Sequence, residues 1–336
     1  MIEKNVQFLS AVCTSLSGPD AVKIIETPIR TLGVNEVLIK VRAASLNFPD
    51  LLMTYGKYQY KPEIPFIVGL EGSGAVQSVG AEVQKFKVGD IVMFRGKTGA
   101  CAEFKIANED DVLPVPSNLS FEEAAAFGVT FQTAYVALVR RGRLQAGEWL
   151  LVHGAGGGVG QACVAVGKAL GAKVIATASS AGKRGIALMS GADHVVDYHD
   201  GVFTQEIMSL TAGQGVSVVM DPVGGHVLNE SVNCLGWQGR LLSVGFASGE
   251  FGNINLEELR RRGGELIGVR AGEYGRKNPE AGRTAHSELL ELVECHNLRP
   301  YIGKIWKGQE IVSALKAMES REVAGKQVIS FSEKAY

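Results

Sequence analysis

A glycine-rich turn between an apolar run and a helical pattern carries the clearest chemical signal in this sequence. The apolar run Trp149–Val152 leads into the turn, and the segment after it has apolar or small residues at helical spacing. A strand, a glycine turn and a helix in that order bind the pyrophosphate of a dinucleotide, because the helix N-terminus offers N–H groups and a positive dipole end. We therefore expect the phosphates to lie on Gly154, Ala155, Gly156, Gly157, Gly158, Val159 and Gly160.

The glycines of this turn have different expected roles. Gly154 suits the sharp turn at the strand end, and Gly157 or Gly158 lets the phosphates approach the backbone. Gly160 lets the helix pack closely on the sheet. An ordinary surface loop is the alternative, but the strand before the turn and the helix after it favour the dinucleotide.

The residues beyond the glycines indicate which dinucleotide is bound. An acidic residue about 20 positions further on binds the ribose 2′-hydroxyl of NAD. That place falls in residues 176–180, which include no acid, and Lys183 and Arg184 follow. Hydroxyl groups and a cation would hold a 2′-phosphate, which a carboxylate would repel. The pattern favours NADPH, with a solvated surface cation as the other interpretation of Lys183.

The elements that must position these residues change character near Trp149. Before it the pattern predicts short strands and turns, ending in a helix that begins at Phe121 with Ser120 as its N-cap. After it strands alternate with helices, which predicts a parallel doubly wound α/β sheet. The tail returns to strand, helix and strand, so we expect it to rejoin the first domain. The predicted domains are residues 1–127 with 298–336, and residues 128–297.

The individual predictions are as follows. Strands are predicted at residues 37–41, 72–79, 91–94, 149–152, 173–178, 194–196, 216–220, 240–245, 265–269, 302–306 and 327–331. Helices are predicted near residues 183–189, 203–210, 227–235, 256–262, 284–295 and 311–318. His153 and His194 fall at predicted strand ends, and we interpret both as structural.

Composition excludes several classes of protein. The 336 residues are 46% hydrophobic with a formal net charge of −1, which gives no general attraction to nucleic acid or to an anionic membrane. The five cysteines are far apart, which argues against a disulfide framework or a cysteine zinc site. No apolar run reaches the roughly 20 residues of a membrane span, and the N-terminal MIEKNVQFLS lacks a secretion signal. A cytoplasmic location is expected.

Taken together, the motifs resemble those of the medium-chain dehydrogenase/reductase superfamily. Within it the sequence is most similar to the zinc-free quinone oxidoreductases, the group that includes zeta-crystallin. Besides the glycine turn, the likeness is carried by residues 44–58, 64–76, 88–90, 128–135, 191–198, 221–225 and 325–328. The resemblance implies a GroES-like, β-rich catalytic domain in addition to a Rossmann coenzyme domain that binds NADPH.

The resemblance also implies roles for single residues. The adenosine 2′-phosphate would be held by Ser179, Lys183 and Tyr198, and the nicotinamide would lie near Asn47 and Thr130. Other positions that match coenzyme-binding segments are Asp221, Val244, Gly245, Phe246 and Lys326. We take Asn47 and Tyr58 as the catalytic candidates, that is, as polar groups that contact substrate or nicotinamide.

The resemblance further predicts that no metal is bound. Zinc members of the superfamily use a cysteine near the position of Asn47 and a His-Glu pair in a GHE motif, which here reads Gly69-Leu70-Glu71. Asparagine and leucine cannot replace thiolate and imidazole as zinc ligands. Without a Lewis acid, alcohol oxidation lacks its usual means of stabilising an alkoxide.

The expected reaction is therefore hydride transfer from NADPH to a quinone or an activated alkene, with the proton supplied by water. A 2-enoyl thioester or haloacrylate-type reductase is one alternative. The other is a non-enzymatic NADPH-binding protein of the crystallin kind. The sequence leaves the physiological acceptor open.

Assembly is predicted from the last strands of the coenzyme sheet. Residues 240–245 and 265–269 would be the last strands of the sheet. In the second of them only Glu265 carries a charge that would disfavour pairing with another chain. We expect Leu266, Ile267 and Val269 to be partly open at this edge. Two chains could join these edges about a twofold axis, so a homodimer is predicted.

Overall fold

A computed structural model describes residues 7–198 and 202–331 of the protein. Most of the N-terminal stretch considered for a secretion signal therefore lies outside the described residues. The strands are β1 (Gln7–Cys13), β2 (Val22–Pro28), β3 (Glu36–Leu46), β4 (Phe66–Ile67), β5 (Glu71–Val79), β6 (Ile91–Arg95), β7 (Phe104–Asn108), β8 (Val112–Pro114), β9 (Trp149–Val152), β10 (Lys173–Ala178), β11 (His194–Asp197), β12 (Val216–Asp221), β13 (Leu235–Ser243), β14 (Glu265–Gly268), β15 (Ile302–Lys307) and β16 (Lys326–Ser330).

The helices follow the same chain order. They are α1 (Phe48–Thr54), α2 (Phe121–Tyr135), α3 (Gly158–Ala169), α4 (Ala181–Met189), α5 (Thr204–Leu210), α6 (Gly225–Cys234), α7 (Leu256–Arg261), α8 (Ala271–Lys277), α9 (Pro279–His296) and α10 (Ile311–Glu319). A π-helical turn, Val136–Arg141, continues α2. No helix in the described ranges is long and apolar enough to cross a membrane.

One compact unit combines Met1–Val129 with Ile302–Tyr336. Its larger sheet runs in the order β15-β16-β3-β5-β6-β8, with β7 also paired to β3, and its smaller sheet runs β2-β1-β4. The long strand β3 carries much of the core through buried aliphatic side chains such as Val37, Ile39 and Val41. Strand β16 pairs antiparallel with β3, with Gln327 opposite Leu46. This pairing brings Lys326 to the end of β3, where Asn47 follows.

The other compact unit, Thr130–Tyr301, contains a parallel sheet with strand order β11-β10-β9-β12-β13-β14. This is the order of a dinucleotide-binding doubly wound fold, and it confirms the predicted α/β sheet. The order reverses direction between β9 and β12. Ligands bind such sheets at this switch point, beyond the carboxyl ends of the strands.

Several local predictions differ from the structure. Helices α1 and α8 are absent from the prediction, because seven residues carry too little periodicity to mark a helix. The strand predicted to start at Arg240 begins at Leu235, directly after α6. Gly236 and Gly239 conceal this start, since glycine is a turn signal in sequence patterns.

Strand β14 is the edge of the parallel sheet, as predicted, but its side chains are less open than expected. Leu266 is 45% exposed, whereas Ile267 and Val269 are buried at 8% and 5%. The expectation that all three lie partly open is therefore wrong for two of them, because alternate side chains of an edge strand still pack on the sheet face. The unpaired backbone edge is unaffected by this correction, and the homodimer stays a prediction.

Candidate active site

The glycine turn follows β9 directly and leads into α3. Gly154 has a φ of 59°, a backbone conformation that favours glycine. Helix α3 begins after Gly157, whose position offers no side chain to cap the first turn. The N–H groups of that turn have no intrahelical acceptor and are aimed beyond the carboxyl end of β9. The turn therefore has the geometry of an anion site.

Two of its glycines are required by close packing. A Cβ atom on Gly160 would lie 2.3 Å from the carbonyl oxygen of Gly154 and 2.7 Å from Cα of Ala155. A Cβ atom on Gly156 would lie 2.4 Å from Cβ of Lys183. The turn is thus packed against its own helix on one side and against α4 on the other. Lys183 is placed beside the glycine turn.

Ser179, Lys183 and Tyr198 gather at one corner of the sheet. Ser179 follows β10, Tyr198 follows β11, and Lys183 lies in the first turn of α4. The hydroxyl of Ser180 caps this helix by accepting the N–H of Lys183 at 3.4 Å. Because β10 and β11 are parallel neighbours, their carboxyl ends lie side by side. The structure brings these three predicted residues together.

The neighbouring cation has a different arrangement. The guanidinium of Arg184 donates to the Asp197 carboxylate at 2.5 Å and to the carbonyl of Ala178 at 3.3 Å. The Arg184 charge is therefore already paired with the Asp197 carboxylate. Of the two cations noted in the sequence, Lys183 is the one packed on the glycine turn.

The loops after β12 and β13 pack on each other at the same end of the sheet. The Asp221 carboxylate accepts the N–H groups of Val223 at 2.7 Å and Gly224 at 3.1 Å, and the Asp221 carbonyl accepts the N–H of Val244 at 2.9 Å. Burial raises the pKa of Asp221 to about 6, although the N–H groups act in the opposite direction. Asp221 therefore shapes the loops that carry Val244, Gly245 and Phe246.

In the other compact unit, Asn47 belongs to a buried polar cluster. Its side-chain amide donates to the Glu71 carboxylate at 2.9 Å and accepts from the Lys326 ammonium at 2.7 Å. Lys326 also donates to Glu71 at 3.0 Å and to the carbonyl of Leu46 at 3.1 Å. The structure thus brings together two predicted site residues, Asn47 and Lys326, which are far apart in the sequence.

Glu71 is the centre of this cluster. One carboxylate oxygen also accepts the hydroxyl of Ser45 at 2.9 Å, and the other accepts the backbone N–H of Val129 at 2.7 Å. Val129 precedes Thr130, the second residue predicted near the nicotinamide, which is 1% exposed in α2. Sequence reasoning named Glu71 only as part of the segment that stands in place of the GHE motif, and it gave Ser45 no role. The partners of Glu71 could not be found from sequence, because they come from three separate segments.

Asp50 is a second carboxyl group that sequence reasoning missed. It is fully buried and accepts the backbone N–H of Asn47 at 2.8 Å, while its other oxygen has no hydrogen-bond partner among the described residues. Burial raises the pKa of Asp50 to about 7, opposed by the Asn47 N–H and by the Lys326 charge. The spacing of Asn47 and Asp50, which matches a helix capping box, was the available signal.

Tyr58 lies in the segment that follows α1. It is partly buried and packs against the same hydrophobic core as Phe48 and Leu70. Asn47 and Tyr58 therefore flank α1, one at its N-terminus and one beyond its C-terminus.

The cluster does not suit a zinc ion. Leu70 packs on the hydrophobic core and offers no ligand, and Asn47 is held by Glu71 and Lys326. The Lys326 ammonium already supplies the positive charge within hydrogen-bonding distance of Glu71, so a second cation would meet electrostatic repulsion. Within residues 7–198 and 202–331, no group of three or more His, Cys, Asp or Glu side chains is placed to hold a metal.

Comparisons with known proteins agree with both compact units. Residues 33–142 match the alcohol dehydrogenase GroES-like domain, which confirms the predicted GroES-like unit, and residues 158–289 match the family described as zinc-binding dehydrogenase. A quinone oxidoreductase-like protein 2 homolog of Nematostella vectensis is 34% identical over 96% of this chain and 89% of its own length. A quinone oxidoreductase of Pseudomonas aeruginosa is 32% identical over 97% of this chain and 99% of its own.

Two solved structures are similar to this chain along almost its whole length. Mycobacterial Rv1454c complexed with NADPH has a TM-score of 0.87 and 29% identity, covering 96% of this chain and 99% of that one. The CurK enoyl reductase has a TM-score of 0.87 and 28% identity, covering 97% of this chain and 99% of that one.

Proposed function

This chain belongs to the quinone oxidoreductase group of the medium-chain dehydrogenase/reductase superfamily, and from that premise we propose an NADPH-dependent, zinc-independent reductase of quinones or activated alkenes. The observation that carries the proposal is the corner formed by the glycine turn and Lys183. There a helix N-terminus for a pyrophosphate lies beside a cation for a 2′-phosphate, and the end of β10 has no acid that would repel it.

The residues present fit NADPH well. Residues 154–160 would hold the pyrophosphate through backbone N–H groups, and Ser179, Lys183 and Tyr198 would hold the 2′-phosphate. The complex of Rv1454c with NADPH supports this choice of coenzyme. Asn47 and Thr130 would lie near the nicotinamide, as the family resemblance implies. NADPH supplies a hydride, that is, two electrons and one hydrogen, to the acceptor.

The chain's own part is to orient the reactants and to provide polar contacts. The hydride adds to an electron-poor carbon or to a quinone, and a proton from water completes the reduction, so no metal is needed. Asn47 and Tyr58 would contact substrate or nicotinamide as fixed polar groups. Holding the reacting atoms within near-attack distance lowers the barrier of such a reaction.

An acceptor screen tests this function. Purified protein is mixed with NADPH and, separately, with quinones, enones and enoyl thioesters, and NADPH oxidation is followed by absorbance. We expect turnover with quinones or enones that persists after prolonged treatment with EDTA or phenanthroline. Stoichiometric zinc in the active protein, or loss of the rate on chelation, would contradict zinc independence.

The same screen separates the alternatives. A preference for enoyl thioesters would favour an enoyl reductase, which is the activity that the CurK protein is named for. Tight NADPH binding without turnover of any acceptor would favour a non-enzymatic, crystallin-like protein. Either result would overturn the proposed acceptor class while leaving the coenzyme site in place.

Coenzyme preference is expected to depend on Lys183. Replacing Lys183 by Ala removes the charge beside the glycine turn, so NADPH should bind about 1.5–3 kcal/mol more weakly, while NADH binding changes little. Fluorescence titration with each coenzyme measures the effect. Arg184→Ala is the matched control, because Asp197 already engages that cation. Equal losses of NADPH and NADH in Lys183→Ala would show that Lys183 does not recognise the 2′-phosphate.

We also propose a homodimer joined at the β14 edge and a location in the reducing cytoplasm. The open edge of the parallel sheet supports the first. The second is supported by the cysteines, all of which are free thiols, four of them buried.

A further inference from the structure

The ion pair of Lys326 and Glu71 is enclosed within its compact unit. The two side chains are 3% and 2% exposed, and their charged atoms lie 3.0 Å apart. Desolvating two charges costs free energy that their mutual attraction offsets only when the geometry is good, so a buried pair is weak support for stability. A role other than stability therefore has to explain the pair, and one such role is to hold neighbouring side chains in a single arrangement.

The pair fixes the side-chain amide of Asn47. The oxygen of this amide accepts from the Lys326 ammonium, and its nitrogen donates to the Glu71 carboxylate. If the amide turned over, its NH2 group would face an ammonium and its oxygen would face a carboxylate. Both contacts would then be repulsive inside a site with little water. Only one orientation of Asn47 is therefore compatible with the pair.

All three N–H donors of Lys326 have acceptors within this cluster. They point to the Leu46 carbonyl, the Asn47 amide and the Glu71 carboxylate. An ammonium group has three donors, so none remains for a coenzyme phosphate. This use of the donors differs from the direct coenzyme contact that the resemblance implies for Lys326.

We propose that Lys326 is a positioning residue for hydride transfer, which together with Glu71 locks Asn47 in the one amide orientation that suits the nicotinamide and acceptor. The ammonium lies within hydrogen-bonding distance of Asn47, near the position where the resemblance places a cysteine ligand in zinc members of the superfamily. This inference rests on the proposed function, since it assigns the lysine a part in that reaction.

The double variant Lys326→Met/Glu71→Gln separates positioning from stability. It removes both charges together, so no unpaired buried charge remains. The glutamine amide introduced in place of Glu71 can accept from Val129 and donate to Ser45 and to the oxygen of Asn47. Asn47 keeps hydrogen bonds but is no longer held in its original orientation, and the NH2 group of the introduced glutamine favours the reversed amide. Lys316→Met is the matched control, because Lys316 pairs with Asp20 at the surface of the same unit and is 52% exposed.

We expect the double variant to melt close to the wild-type temperature and to bind NADPH within about threefold of the wild-type Kd. Its kcat should fall by about tenfold to 100-fold, since a small misplacement of the reacting atoms has effects of this size. The kinetic isotope effect with NADPH deuterated at the transferred position should rise, because hydride transfer becomes the slow step. Lys316→Met should match the wild type in every measurement.

Two results would overturn the inference. One is a double variant with wild-type kcat and an unchanged isotope effect, which would leave the pair a purely structural role. The other is a large rise in the NADPH Kd with unchanged kcat, which would make Lys326 a coenzyme ligand. If none of the acceptors tested supports NADPH oxidation by the wild type, it is the proposed function that fails.

A second variant keeps the inference testable if the double variant does not fold. Lys326→Gln loses the charge but retains an NH2 group that can donate to the Asn47 oxygen, whereas Lys326→Met retains no donor. Both leave Glu71 uncompensated and should lose similar stability. We expect the Gln variant to keep a kcat about tenfold higher than the Met variant, because its NH2 group still holds the Asn47 oxygen, whereas in the Met variant Glu71 alone acts on the amide. Equal kcat values in these two variants would contradict the proposal.

Discussion

Replacing Gly160 by Ala is expected to weaken NADPH binding by about 100-fold, or about 2.8 kcal/mol. The added Cβ atom would lie 2.3 Å from the Gly154 carbonyl oxygen and 2.7 Å from Cα of Ala155. Contacts between carbon and oxygen atoms are normally about 3.3 Å or longer, so the helix and the turn must separate by about 1 Å. Both neighbours are backbone atoms, which cannot move aside as a flexible side chain could.

That separation should act on binding more than on folding. The turn and the first N–H groups of α3 must converge on one pyrophosphate, and their alignment is lost when the helix shifts. Fluorescence titration with NADPH measures the binding, and circular dichroism measures the fold.

Gly185→Ala is the matched control for this experiment. Gly185 lies inside α4, its added Cβ would meet nothing within 4 Å, and its φ is not positive. Alanine at such a position should stabilise the helix by about 0.5–1 kcal/mol and leave NADPH binding unchanged. A Gly160→Ala variant that binds NADPH as tightly as the wild type would show that the turn does not carry the pyrophosphate.

The sheet that carries Gly160 could be predicted from sequence for a physical reason. Parallel strands covered on both faces are short continuous apolar runs, and the helices between them repeat at their own period. Both signals are local, so β9, β10 and β12 are recognised close to their true bounds. The glycine turn adds a third local signal, because its spacing reflects close backbone packing.

The first compact unit is less predictable for the opposite reason. Its strands pair with partners far away in the chain, and β3 meets β16 through residues such as Leu46 and Gln327. Helix α1 is too short to show a period, although Asn47 and Asp50 cap it. The contacts of Lys326 with Asn47 and Glu71 depend on this long-range pairing, so sequence motifs could name Lys326 but not its partners.

Acid is expected to destabilise the protein through His153, a residue that the sequence marked only as structural. The ring is fully buried at the end of β9, with one nitrogen 2.8 Å from the Thr177 hydroxyl and the other 2.8 Å from the Ser231 hydroxyl. Ser231 donates its own proton to the Val227 carbonyl at 2.6 Å, so Nε2 of His153 must donate to Ser231. Nδ1 then accepts from Thr177, and the neutral ring satisfies every partner.

Burial lowers the pKa of His153 from 6.5 to about 3. The unfolded chain takes up a proton below about pH 6.5, but the folded chain does so only near pH 3. The stability that this histidine contributes is therefore complete above pH 6.5 and is lost as the pH falls toward 3, at up to about 1.4 kcal/mol per pH unit. At pH 4.5 the loss should reach about 3 kcal/mol relative to pH 8.

His153→Gln tests this origin of the acid sensitivity. Glutamine can still donate to Ser231 but does not replace the whole ring, so the variant should be less stable than the wild type at pH 8. Because glutamine does not titrate, the variant should lose less stability than the wild type on acidification. Urea unfolding midpoints between pH 8 and pH 4.5 measure both effects. His194→Gln, at an exposed position in β11, controls for the loss of a histidine alone. A buried neutral ring can accept a proton only when the structure around it opens, so removing the ring should flatten the pH profile of stability. Parallel pH profiles for the wild type and His153→Gln would therefore place the acid sensitivity elsewhere.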